Sequence, residues 1–154
     1  MGLFWFDREI TGDYSLKLDW KLHGDDNSGV FLGFPASDDP WSAVDNGYEI
    51  QIDAPTRRPH HTGAVYGFRS ADVAARDAAL NRRGSGTPTN SVSPRAPGDL
   101  PQRPEDQRLH HTDPARSLRQ GHIGLQNHGD GDEASFRNVR LQRDGATPAP
   151  VPVR

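Results

Sequence analysis

Hydrophobic and polar residues alternate along much of the first half of the chain. Over residues 14–22, apolar side chains occupy every second position and polar side chains mostly fill the positions between them. This period of two is that of a β-strand with one buried face. Residues 48–53 alternate in the same way, and their polar face carries Glu49, Gln51 and Asp53. Both segments are therefore predicted strands.

Shorter apolar runs predict further strands along the chain. They lie at 3–6, 30–34, 63–68, 122–125 and 134–141. Gly, Asn, Asp and Pro residues, which favour turns, are frequent between these runs. Many short strands with turn signals between them are typical of an antiparallel β-sandwich, so the predicted fold class is all-β.

Three local features complete the predicted fold. The Gly- and Asn-containing turn at 23–29 predicts that the strands on either side of it form a hairpin. The segment 35–47, which carries Trp41, is predicted to be a loop. Ser70 precedes an Ala-rich stretch, so one short helix is predicted near 71–80 with Ser70 as its N-cap.

Composition divides the chain unevenly. Only 32% of the residues are hydrophobic, and the segments 81–116 and 144–154 hold few aromatic or branched apolar residues. The length of 154 residues fits one domain, which we place at 1–143. Within it, 84–111 is predicted to be irregular because its prolines cannot donate to a sheet ladder. The Pro-rich tail at 144–154 is predicted to be disordered.

Charge and cysteine content exclude several classes of function. The net charge is −3 with neutral His, and the Lys and Arg residues are scattered, so no nucleic-acid partner is expected. No apolar run reaches the length of a membrane span. The absence of Cys excludes disulfides, thiolate metal sites and a Cys nucleophile. These features determine neither the oligomeric state nor the compartment.

Several groups of residues occur in the order and approximate spacing of a known family. They lie at 26–31 (DNSGVF), 47–53 (GYEIQID), 62–67 (TGAVYG), 124–129 (GLQNHG) and 136–140 (FRNVR). Together they resemble the 3-keto-disaccharide hydrolase family, whose fold is a concanavalin-like jelly roll. Its members are usually periplasmic or secreted, and earlier strands, often with a signal peptide, precede the point where this sequence starts. We therefore expect a truncated N-terminus.

The resemblance implies a reaction on an oligosaccharide or 3-keto-glycoside. No cofactor is predicted. A ketone at C3 acidifies the proton at C2, so a base can remove that proton while the glycosidic oxygen leaves C1. Addition of water then completes a net hydrolysis. Such a site needs a base, an acid for the leaving oxygen and a group that stabilises an enolate.

Residues 84–111 depart from the family pattern, which has strands around Glu-Trp-Asn-Thr-Tyr-Glu-Phe and Tyr-Leu-Asn-Gly. Codons exist for 84–91 that encode the first of these segments when read from their third nucleotide. Codons for 98–111, read one nucleotide later, encode Glu-Ile-Tyr-Leu-Asn-Gly-Gln-Lys-Ile-Asn-Asp-Phe-Thr. We therefore predict a frame-shifted segment, whether a sequencing error or a genuine lesion, with the frame restored near Thr112. A natural Pro- and Gly-rich insertion with coincidental codons is the alternative.

Two residues are predicted to be catalytic. Glu49 belongs to the acidic strand face, and its alternative role is a polar position exposed to water. Glu49 and Asp53 would be about 13 Å apart at Cα, which does not suit the carboxyl spacing of a retaining glycosidase, about 5–5.5 Å. His128 suits proton abstraction near neutral pH, and its alternative is a surface residue in an Asn/Gly turn.

The predicted substrate-binding residues follow from the same resemblance. They are Gln51, Asp53, Tyr66, Arg137 and Trp41. Arg137 could bind a sugar oxygen or an enolate, with a surface ion pair as its alternative. Tyr66 and Trp41 could stack on a pyranose ring, although aromatic residues are more often buried.

Metal binding and catalysis itself stay open in the sequence. A divalent cation near Asp130 and Asp132, beside His128, would suit hard oxygen ligands, but the ligand set is incomplete and no metal is predicted. The domain could be an active hydrolase or lyase, or a non-catalytic carbohydrate-binding module, since this architecture also hosts lectins. A non-functional fragment is the third interpretation.

Overall fold

The computed structural model describes residues 1–53, 61–79, 91–92, 106–107, 113 and 115–143. Most of the regular structure in these ranges is β-strand. The strands are β1 Gly2–Trp5, β2 Ile10–Thr11, β3 Tyr14–Leu22, β4 Asn27–Phe34, β5 Tyr48–Asp53, β6 Ser91–Val92, β7 Asp106–Gln107, β8 Gln120–Asn127 and β9 Ala134–Arg143. The helices are α1 Trp41–Asn46 and α2 Val73–Ala79. Neither helix is long and apolar enough to cross a membrane.

The described strands form two sheets. The first has the order β1-β8-β4-β5, and β2 also pairs with β8. The second has the order β7-β6-β3-β9. Apart from the parallel pair β6 and β7, every described strand pair is antiparallel. The predicted all-β sandwich is thus confirmed.

The main core lies between the two sheets and follows the alternation in the sequence. In β3, the apolar side chains from Tyr14 to Leu22 are buried and face the first sheet. They meet apolar side chains of β4, β5 and β8, including Leu32, Ile50 and Ile123. Each such side chain contributes about 1.5–3 kcal/mol when fully buried.

A smaller apolar cluster covers part of the outer face of the first sheet. Phe31 and Phe34 of β4 pack there with Ala43 of α1. Strand β4 is consequently buried on both faces, as its nearly continuous apolar sequence requires. The remainder of this outer face carries polar side chains.

The predicted hairpin between β3 and β4 is wrong. Strand β3 pairs with β6 and β9, whereas β4 pairs with β5 and β8 in the opposite sheet. The turn residues between β3 and β4 reverse the chain, but the chain passes from one sheet to the other as it does so. The two-sided burial of β4 explains this, because such a strand needs a neighbour along each edge and a cover over each face.

Two other predictions need correction and one is confirmed. Residues 63–68 are turns rather than a strand, with isolated bridges from Val65 to Ile50 and Arg69. Positive φ angles at Gly63 and Gly67 interrupt an extended path there. The predicted loop 35–47 contains helix α1. The helix predicted near 71–80 is present as α2.

The predicted irregular segment 84–111 lies mostly outside the described residues. Within it, β6 and β7 are two-residue strands that extend the second sheet beyond β3, with Val92 opposite Leu16. At these four residues the expected absence of pairing is wrong. For the rest of the segment the prediction stays a prediction. The predicted tail 144–154 also lies outside the described residues.

Candidate active site

A cavity of about 380 Å³ opens on the outer face of the first sheet. Its walls include six of the seven side chains that the sequence analysis predicted to form a site. These are Trp41, Glu49, Gln51, Asp53, Tyr66 and His128. The structure therefore brings together residues from α1, from β5, from the turns after it and from the loop after β8.

Strand β5 forms the polar floor of this cavity. Its apolar side chains face the core, so Glu49, Gln51 and Asp53 face outward. All three are nevertheless buried, with exposures of 8%, 3% and 6%. The turns after β5 close against its free edge, where the Tyr66 amide donates to the Glu49 carbonyl and the Gly63 amide to the Gln51 carbonyl. A polar face exposed to water, the alternative for these residues, is not what the structure contains.

The carboxyl group of Glu49 lies over the neighbouring strand β4. It occupies space that is open because residue 29 is glycine: a Cβ at Gly29 would lie 2.9 Å from Glu49 Cγ. Among the described residues, none donates a hydrogen bond to this carboxyl group. Burial consequently raises the pKa of Glu49 to about 7. Glu49 can therefore either donate or accept a proton near neutral pH.

His128 follows the last residue of β8 and is about half exposed. Its Nδ1 atom lies 2.9 Å from Oδ2 of Asp132. A neutral imidazole that donates from Nδ1 to this carboxylate keeps its lone pair on Nε2, so Nε2 can accept a proton. The carboxylate also stabilises the imidazolium that would form.

Asn27 and Gln126 supply two further side-chain amides, which the sequence analysis did not assign to the site. Gln51 Nε2 donates to Asn27 Oδ1 over 2.7 Å, and both residues line the cavity. Gln126 of β8 also lines it. Asn27 had been assigned to the turn, but it lies directly opposite Asp53 in the register of β4 and β5. The sequence signal that could have identified Gln126 is the period of two, which places it on the same face of its strand as Gly124. That this strand lies beside β4 is visible only in the structure.

Two aromatic side chains of the cavity wall are partly open to solvent. Trp41 is 56% exposed at the first residue of α1, and Tyr66 is 45% exposed in the turns after β5. The backbone amide of Trp41 donates to Asp39 Oδ1 over 3.0 Å, and this contact ties the first residue of the helix to the loop before it. Exposed aromatic rings beside buried polar groups suit a ligand that has both apolar faces and hydroxyl groups, such as a sugar.

Arg137 is the predicted residue that the structure places away from the cavity. It lies on β9 of the second sheet, where its Nε atom is 3.3 Å from Asp19 Oδ2 on β3. This ion pair is the alternative that the sequence analysis left open for Arg137. The chain crosses to the other sheet between β8 and β9, so Arg137 does not follow His128 into the same site.

The residues near His128 do not assemble a metal-binding cluster. In the part of the chain that the structure describes, no group of three or more His, Asp or Glu side chains is arranged to hold a metal ion. Asp132 is hydrogen-bonded to His128, whereas Asp130 is exposed.

Comparisons with known proteins agree with this architecture. The sequence matches the family described as 3-keto-alpha-glucoside-1,2-lyase-like domain over residues 1–85, more than half of the 154-residue chain. The match ends close to residue 84, where the sequence departs from the family pattern. No curated protein matches the sequence significantly.

A solved structure has a similar fold. It is the crystal structure of a "Putative glycosyl hydrolase from Parabacteroides distasonis ATCC 8503" at 2.00 Å resolution. The TM-score is 0.54 at 19% sequence identity, with 92% of this chain and 82% of that chain covered. At this identity the shared feature is the fold alone.

Proposed function

The chain belongs to the 3-keto-alpha-glucoside-1,2-lyase-like domain family, and from this premise we propose that it cleaves 3-keto-glycosides by elimination followed by hydration. One observation carries the proposal. A buried carboxyl group with a pKa of about 7, that of Glu49, and the imidazole of His128 line the same cavity. Elimination across C1 and C2 needs such a pair, one group to take the C2 proton and one to protonate the leaving oxygen.

The proposed reaction has two steps. A base removes the C2 proton, and the electron pair of the C–H bond delocalises onto the C3 ketone as an enolate. As the enolate collapses, a double bond forms between C1 and C2, the C1–O bond breaks and the departing alcohol takes a proton. Water then adds its oxygen to C1 and a proton to C2, which gives the free 3-keto-sugar.

His128 is the proposed base. The hydrogen bond from Nδ1 to Asp132 leaves Nε2 to accept the C2 proton, and the Asp132 carboxylate stabilises the resulting charge. Glu49 is the proposed acid. With a pKa of about 7, a substantial fraction of this buried carboxyl group is protonated at neutral pH and can protonate the leaving oxygen.

The remaining cavity residues are proposed to hold the sugar. Trp41 and Tyr66 offer partly exposed rings against which a pyranose face can pack. Gln51 and Asp53 supply buried polar groups on the floor. Arg137 is left out of the proposed site because it pairs with Asp19 on the other sheet.

A non-catalytic carbohydrate-binding domain is the second candidate. The exposed aromatic side chains Trp41 and Tyr66 favour it, because they would serve sugar binding without any proton transfer. The two candidates differ in one observable property: a binding domain retains its ligand intact.

Turnover of a chromogenic 3-keto-glucoside, with the corresponding ordinary glucoside as control, separates these functions. We expect release of the chromophore from the keto substrate only, because without the ketone the C2 proton is not acidic. Glu49→Gln and His128→Ala should each lower turnover by about 10²-fold or more without lowering the melting temperature. Sugar binding without turnover would identify the binding domain instead. If both variants retained the turnover of the wild type per folded molecule, the assigned roles would be refuted.

A further inference from the structure

Gln126 occupies a distinctive position in the cavity. It lies near the end of β8, lines the cavity and is only 5% exposed. Its side-chain oxygen Oε1 is buried and accepts no hydrogen bond from the described residues. Leaving a buried amide oxygen unpaired destabilises a protein. Such a group therefore calls for an explanation.

Two polar side chains of the neighbouring strands are paired, whereas the side-chain oxygen of Gln126 is not. Gln51 donates to Asn27 over 2.7 Å, and the Ser28 hydroxyl donates to the backbone carbonyl of Gln126 over 2.6 Å. The backbone of Gln126 thus joins β4 to β8 through Ser28, but this contact makes no use of the side-chain amide.

The nitrogen of the same amide is also poorly used. The contact of Nε2 is with the thioether sulfur of Met1, 3.4 Å away, and a thioether is a weak acceptor. Exchanging the positions of Oε1 and Nε2 does not improve matters. The oxygen would then face a sulfur that cannot donate, and the NH₂ group would occupy the position that has no partner.

We propose that Gln126 is a specificity-determining residue that accepts a hydrogen bond from one hydroxyl group of the bound sugar. The inference rests on the proposed function, because it assigns part of the substrate contact in the same cavity. An unpaired acceptor requires a donor, so the partner is a hydroxyl and not the C3 carbonyl, which cannot donate. The flexible side chain of Met1 lies against this amide and can shift as the hydroxyl enters.

A hydrogen bond of this kind selects against substrates that lack the hydroxyl. A buried polar group that is paired only when the correct ligand is bound rejects the analogue without that hydroxyl. The analogue without the hydroxyl should have a kcat/KM about tenfold lower than the parent substrate for one neutral hydrogen bond. The difference can be larger where the site excludes water.

The test combines a variant of the protein with variants of the sugar. Gln126→Met keeps the length of the side chain and removes both amide atoms. Gln120→Met is the matched control, since Gln120 lies on the same strand but is exposed and hydrogen-bonded to Glu9. Each protein is assayed with a 3-keto-glucoside and with its 2-deoxy, 4-deoxy and 6-deoxy analogues.

We expect the wild type to lose about tenfold or more in kcat/KM on one deoxy analogue. Gln126→Met should lose a similar factor on the parent substrate and should no longer distinguish it from that analogue. Gln120→Met should behave as the wild type. The melting temperature of Gln126→Met should be unchanged or higher, because an unpaired buried amide is removed. We call this dependence of the effect of Gln126→Met on the presence of one hydroxyl group the coupling. If Gln126 had a purely structural role, neither the coupling nor this melting behaviour would be observed.

Two outcomes would overturn the inference while leaving the proposed function intact. One is an equal loss by Gln126→Met on the parent and on every analogue. The other is no loss on any of them. If the wild type turns over no 3-keto-glycoside, the proposed function fails, and the same set of sugars is measured by calorimetric binding. If Gln126→Met weakens binding of the parent sugar but not of one deoxy analogue, the role of Gln126 is supported. If no sugar binds, the inference about Gln126 is overturned as well.

Discussion

Gly29 leaves the space that the carboxyl group of Glu49 occupies. The two residues lie on neighbouring strands, β4 and β5, and a Cβ at position 29 would lie 2.9 Å from Glu49 Cγ. This distance is shorter than real Cβ contacts, so any larger residue at position 29 must displace the carboxyl group. The identity of residue 29 therefore controls the geometry of the proposed acid.

Gly29→Ala tests this relationship. We expect a loss of about tenfold or more in turnover of a 3-keto-glucoside, because a displaced carboxyl group no longer meets the leaving oxygen. Overpacking should also cost about 1–3 kcal/mol of unfolding free energy. Gly2→Ala is the matched control, since Gly2 lies in the same sheet and its added Cβ would make only an ordinary contact of 3.6 Å with Asn127. Equal turnover in both variants would contradict the expected displacement.

The stability of the protein should depend on pH through Glu49. Burial raises its pKa from 4.5 to about 7, so the folded state retains a proton that the unfolded chain releases between these values. The contribution of Glu49 to the free energy of unfolding is therefore highest below pH 4.5 and falls as the pH rises to about 7. A pKa difference of this size corresponds to about 3 kcal/mol.

Glu49→Gln isolates this contribution. Denaturant unfolding at pH 5 and pH 8 should show a larger loss of stability with rising pH for the wild type than for the variant. The variant corrects for all other titrating groups, because only residue 49 differs. A difference between the two proteins that is independent of pH would mean that Glu49 titrates at its ordinary value.

Asp132 should be a positioning residue for His128. Asp132→Asn keeps the size of the side chain but removes the charge that holds the Nδ1 proton. We expect turnover to fall by about 10²-fold or more, as is typical when a catalytic imidazole loses its proton-holding partner. The pH profile of turnover should change as well, whereas the melting temperature should change little. Asp130→Asn, which alters an exposed carboxylate in the same loop, should retain activity. Equal effects of the two substitutions would argue against a special role for Asp132.

Restoring the family sequence within 84–111 should stabilise the protein. Large apolar side chains of the restored Glu-Trp-Asn-Thr-Tyr-Glu-Phe and Tyr-Leu-Asn-Gly segments would be buried, each contributing about 1.5–3 kcal/mol. Three or four such side chains approach the whole stability of a typical domain, about 5–15 kcal/mol. We therefore expect a marginal melt for the present chain and a sharp increase in melting temperature after restoration. A cooperative, reversible melt of the present chain at an ordinary mesophile temperature would contradict this.

The sequence by itself determined two of the long strands, β3 and β5, and their faces. The alternation over Tyr14–Leu22 and Tyr48–Asp53 matches β3 and β5, and it placed Glu49, Gln51 and Asp53 together on the face away from the core. These features are local, because a period of two decides which side chains share a face whatever the strand pairs with. Most residues of the candidate site were named through the resemblance to the family, whose short motifs occur here in the same order.

Only the tertiary structure decided which strands are neighbours and which polar groups are buried. Strand pairing depends on contacts between distant segments, so the turn after β3 could not reveal that β4 joins the other sheet. A second crossing between the sheets, from β8 to β9, places Arg137 away from the candidate site, whereas His128 lines the cavity. The pKa of Glu49 depends on desolvation by residues far away in the sequence, and the unpaired oxygen of Gln126 depends on which groups surround it. Neither property is present in an isolated strand, because both arise only when the rest of the chain excludes water.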